Sequence, residues 1–115
     1  MFFTQSFADA YQFPNVMGMS ASASGSDVVE YVDKFRGLML HSMINGPSEN
    51  GYWLTGCKVH TLSYHSDWFS GKAISGMQMR YAVYGWYRDT FINKKPARWR
   101  YVDNPWSSSG EPSYC

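Results

Sequence analysis

The sequence predicts an α+β domain: an antiparallel sheet of three or more strands with one main helix, at about 28–44, packed on one face. Three observations lead there. One run carries apolar residues at helical spacing between a start and a stop signal. Two later runs alternate apolar and polar residues, and a chain of 115 residues is a single domain by length.

In chain order, residues 1–26 read as an aromatic arm with a Ser/Ala-rich linker, residues 27–106 as the domain and residues 107–115 as a tail. Phe2, Phe3 and Phe7, followed by Tyr11 and Phe13, precede the linker and are expected to anchor on a neighbouring molecule. Docking onto the chain's own core is the alternative. The linker from Gly18 to Ser26 and the tail from Ser107 are low in complexity, which composition alone reads as flexible.

The helix begins where Asp27 and, three residues on, Glu30 resemble a capping box, and both acids suit the positive end of a helix. Val28, Tyr31, Val32, Phe35, Leu38, Met39 and Met43 recur at spacings of three and four, the mark of a buried stripe. Asn45-Gly46-Pro47 supplies the stop.

After the turn cluster at 47–51, Tyr52 to Tyr64 is expected to be a strand, with a bend at Gly56. Ala73 to Tyr87 is expected to be a second, with Met77, Met79, Tyr81, Val83 and Tyr87 on one face. Ala97 to Val102 is expected to be a third. Pairing the last two places Arg80, Tyr84, Trp86, Arg88, Arg98 and Arg100 on one sheet face.

That face is the candidate site. Seven of the ten basic residues lie between Lys72 and Arg100, with Asp89 the one acid among them, whereas residues 1–50 carry two bases and five acids. Aromatics make up 18% of the chain and charged residues 17%, so the surface must present rings to whatever it meets. Arginine and aromatic side chains are enriched in protein interfaces, and the same pair can neutralise phosphates and stack on bases.

Catalysis and metal binding are not expected. His60 to Asp67 is the densest polar stretch and lies near Cys57, but residues five apart on a strand face opposite sides, so His60 and His65 do not converge. No GxSxG, HExxH, GxGxxG or phosphate-loop pattern occurs. Cys57 and Cys115 lack CxxC spacing and are expected as free thiols in a reducing compartment, a disulfide pinning the tail being the alternative. The start of the chain lacks a signal-peptide pattern and no long apolar run occurs, so residence in a cytoplasm is the default, the host's or a virion if viral.

The expected function is therefore a non-enzymatic interaction protein without cofactor or metal. It would serve as an accessory subunit of a larger assembly, such as a virus particle, or as a small inhibitor that blocks a partner's surface. Phe2, Phe3 and Phe7 would form a second anchor, homo-oligomers are compatible with this reading, and no membrane partner is expected. Nucleic-acid binding through the basic-aromatic sheet face, and a small Cys/His enzyme or metal protein, are the alternatives.

Overall fold

A computed structural model describes residues 1–20, 24–60, 62, 66–95, 99–106 and 110–115. Its centre is a short parallel sheet. Strand β1, Phe2–Ser6, pairs in parallel with β2, Gly51–Thr55, from Phe2 opposite Gly51 to Ser6 opposite Thr55. On the other side of β2 lies β5, Arg100–Val102, also parallel, with Tyr52 opposite Arg100. The predicted antiparallel sheet is thus corrected.

Every residue of β2 is buried, because helices cover both faces of the sheet. Alternation sends Tyr52 and Leu54 to one side, where they meet Phe7, Phe13 and helix α2, Ser26–Ile44, through Val28 and Val32. Trp53 points to the other side, against Met79 and Ala82 of helix α4, Met79–Tyr87, and against Ile74 and Leu62. The predicted single main helix on one face is corrected accordingly: α2 is one of four helices among the described residues, with α1 at Gln12–Asn15 and α3 at Ser66–Ser70.

The long strand predicted for Ala73 to Tyr87 does not form. Ala73–Ile74 (β3) and Met77–Gln78 (β4) make a minimal antiparallel hairpin, and the chain then enters α4. Ser75 and Gly76 both have positive φ, 50° and 77°, which is the requirement of a two-residue turn that matches strand twist. From Met79 onward the inward residues are Met79, Ala82, Val83 and Trp86, at i, i+3, i+4 and i+7, a spacing that belongs to a helix. Burial of that stripe against Trp53 outweighs the alternating pattern.

The helix α2 starts without a side-chain cap, after Gly25 at φ 110°, so the predicted capping role of Asp27 is not realised; Asp27 lies in the first turn. Near its middle, α2 grips the end of the chain. Asp33 Oδ1 accepts from the Trp106 amide at 2.7 Å, and Arg36 Nε donates to the Asp103 carbonyl at 2.9 Å.

The strand order advances in one direction, β1 to β2 to β5, while α2 crosses on one face and α4 on the other. The two crossovers are therefore of opposite hand, so one departs from the right-handed rule for parallel strands.

Cys57 and Cys115 are joined in a disulfide, their Cα atoms 5.5 Å apart, which corrects the free-thiol expectation. No helix among the described residues is long and apolar enough to cross a membrane.

Candidate functional site

The feature that stands out on the surface is one face of α4 and its continuation. At Arg88 the helix widens into a π-helical turn, Arg88–Ile92, in which the Asn93 amide reaches back to the Arg88 carbonyl at 2.8 Å. Tyr81, Tyr84, Tyr87, Phe91 and Ile92 project from this segment and are each 52–64% exposed. Their spacing of three, three, four and one keeps them on one side of the helical rod, opposite the buried Met79, Ala82 and Gly85.

The predicted site residues separate. Arg80, Tyr84 and Arg88 share this face. The Arg80 guanidinium lies 4.5 Å from the Tyr81 ring centre and donates to the Tyr81 hydroxyl at 3.0 Å and to Gln78 Oε1 at 3.0 Å. Arg88 lies 5.9 Å from the Tyr84 ring and pairs with Asp89 at 3.3 Å. Trp86 is on the inner side: its indole N–H donates to the Glu49 carbonyl at 2.7 Å and its ring meets Phe2 and Phe91 at 5.7 and 5.5 Å.

Arg100 is elsewhere, on β5, its side chain over Tyr52 and donating to the carbonyls of Asn50 and Ser48. The common sheet face proposed for these residues does not exist, because residues 79–87 are helical. Arg98 lies outside the described residues. Phe2 and Phe3 are half-buried in β1, and Phe7, 1% exposed, is part of the core beneath α2.

Asp89 organises the base of the face. Its carboxylate accepts from the Trp99 indole at 2.8 Å, Asn93 at 3.1 Å and Arg88 at 3.3 Å. These donors, Trp99 first, hold its pKa below the usual 3.8. Trp99 in turn packs against Gly85, where an added Cβ would come within 2.3–2.6 Å of three indole carbons.

Two further surfaces carry chemistry. A groove of about 460 Å³ runs between α2 and β1, lined mainly by Phe3, Phe35, Leu38, Met39 and Met43. Near the start of the chain, buried Asp9 holds His60 Nδ1 at 3.0 Å, and Tyr11 stacks on the imidazole with centres 5.1 Å apart. The Cys57 and His60 pairing considered from sequence is not available for a thiolate nucleophile, since the sulfur is in a disulfide and His60 meets Asp9 instead. His65 lies outside the described residues.

At the opposite end of β2 a buried carboxylate gathers the tail. Asp103 Oδ2 accepts from the Gly56 amide at 2.8 Å, from the Thr55 hydroxyl at 3.1 Å and from the Tyr114 hydroxyl. Burial first, and then the bond to Asp103, push the Tyr114 phenol well above its usual 10.0.

Together the fold and surface define a small α+β single domain with aromatic clusters, one of which is displayed on a helix. No protein-family model, curated protein or solved structure matches the chain.

Proposed function

We propose that the protein is a non-enzymatic interaction module that docks the exposed face of α4 and its π-helical turn into a hydrophobic groove of a partner protein. The observation that carries this is the row Tyr81, Tyr84, Tyr87 and Phe91, four rings left open to solvent on one helix side. Anchors at such spacing are how an amphipathic helix engages a groove, and rigid rings bury much area at little entropic cost.

A protein partner fits better than a polyanion. Arg80 and Arg88 already lie on tyrosine rings and bond to Gln78 and Asp89, and Arg100 is turned to backbone carbonyls away from the face. Phosphate neutralisation needs several cations directed outward together. Lys94 and Lys95, exposed at the end of the row, suit a groove with an acidic rim. An accessory subunit of an assembly, or an inhibitor that covers a partner's surface, would act this way.

The test is affinity capture from the source cells with wild type and with Tyr84→Ala/Phe91→Ala, after nuclease treatment and in high salt. Proteins retained by wild type and lost by the variant support the reading. Identical retention by both would overturn it, and capture abolished by nuclease would favour nucleic acid.

A further inference from the structure

We propose that reduction of the Cys57–Cys115 disulfide converts this corner of the molecule into a binding site for a thiophilic divalent cation, typified by Zn²⁺. The ligands are the two cysteine thiolates and the Glu111 carboxylate. One ligand atom from each of the three already lies within 4.8 Å of the other two. Thiolate ligands at about 2.3 Å from Zn²⁺ stand roughly 3.8 Å apart in a tetrahedron, so the three groups sit inside the required span.

Each ligand is held by contacts that do not depend on the S–S bond. The Glu111 carboxylate accepts from the Lys58 amide at 2.9 Å. Cys57 is fixed by its own amide to Thr55 Oγ1 at 3.2 Å and by its carbonyl to the Ser6 hydroxyl at 2.6 Å. On the tail, the Cys115 amide donates to the Pro112 carbonyl at 3.0 Å, Lys72 Nζ donates to the carbonyls of Tyr114 and Cys115, and Tyr114 bonds to Asp103. When the disulfide opens, the thiols stay near each other and near Glu111.

The chemistry balances as follows. A dithiol reductant supplies two electrons and two protons and closes to its own disulfide, while the Cys57–Cys115 bond breaks to give two thiols. Zn²⁺ then bonds to both sulfurs and displaces the two thiol protons. Three protein ligands leave a fourth position for water. Disulfide and metal exclude each other, because both need the same sulfurs. Cytosolic disulfides are mostly transient or redox-sensing, and such a reversible bond suits the cytoplasm expected from the sequence.

The experiment uses the full chain, oxidised or reduced with a phosphine, and Zn²⁺ in competition with a chromophoric chelator. Reduced protein should take one equivalent and oxidised protein none. Glu111→Gln, which keeps an acceptor for the Lys58 amide, should weaken binding about tenfold or more, and Glu30→Gln should not. Near-ultraviolet circular dichroism from the buried Trp53 and Trp106 reports the fold. Reduced, folded protein that leaves Zn²⁺ with the chelator would overturn the proposal, as would Glu111→Gln binding like wild type. If reduction erases the signal, Zn²⁺ must restore it; binding without recovery counts against the site.

Discussion

Tyr114 shows how one side chain couples the tail to the sheet. Its phenol is neutral in the fold and bonded to Asp103, with its pKa raised above 10.0 by burial and by that carboxylate. A raised acid pKa means the unfolded chain loses this proton first. The contribution is therefore fully present below about pH 10 and declines as pH rises beyond it. Tyr114→Phe should cost about 1–2 kcal/mol at neutral pH, the value of a hydrogen bond to a charged group at a half-exposed site. It should also flatten the alkaline loss of stability, as read by urea midpoints between neutrality and pH 11. An unchanged alkaline slope would show that another group dominates it.

Gly85 makes the opposite kind of point, since what matters there is an absent atom. Alanine in an exposed helix interior is better than glycine by about 1 kcal/mol. Here the new methyl would collide with the Trp99 indole and displace the Asp89 partner that it donates to. Gly85→Ala should destabilise the protein and shift Trp99 fluorescence; a rise in thermal midpoint would contradict the packing described.

Trp86, by contrast, is a poor place to probe binding, because it ties α4 to Phe2 and to the Glu49 carbonyl. At the scale of the element, the clean probe is the outer row. Tyr84→Ala with Phe91→Ala should leave stability within about 1 kcal/mol, as for exposed positions. Partner affinity should fall by about 2 kcal/mol or more, the size of a hot-spot loss. Calorimetric midpoints and binding isotherms with the captured partner separate the two effects.

The elements also show what a sequence discloses. The position of α2 was legible, because Asp27 and Asn45-Gly46-Pro47 bracket its apolar stripe; that it would share the packing with other helices was not. Residues 73–87 satisfy both periods at once, and only Trp53 on β2, distant in sequence, decides for the helix. Ser75-Gly76 is the local signal that breaks the extended run. Parallel pairing left no trace in strands of three and five residues. Of the exposed face of α4, Arg80, Tyr84 and Arg88 were visible as a cluster of residue types. Tyr81, Tyr87, Phe91 and Ile92 join them only once the helical phase and the π turn are known.

At the scale of the molecule, the disulfide closes a loop between residues 58 positions apart. A cross-link of that span restricts the unfolded chain and stabilises by about 2–4 kcal/mol. Reduction should lower the denaturant midpoint and steepen the transition, because the freed unfolded chain exposes more surface. A midpoint indifferent to reductant would mean that Tyr114, Lys72 and Glu111 alone hold the tail.

The strand order has a consequence in time. The middle strand of the sheet, β2, needs a neighbour from near the start of the chain and another from residues 100–102. A nascent chain emerging from the ribosome can wind α2 early, but its sheet is complete only when synthesis has passed β5. Folding is therefore a late, nearly single event. Until then the edge of β2 that pairs with β5 waits open, so slow translation of the segment between α4 and β5 would lengthen the interval most open to aggregation.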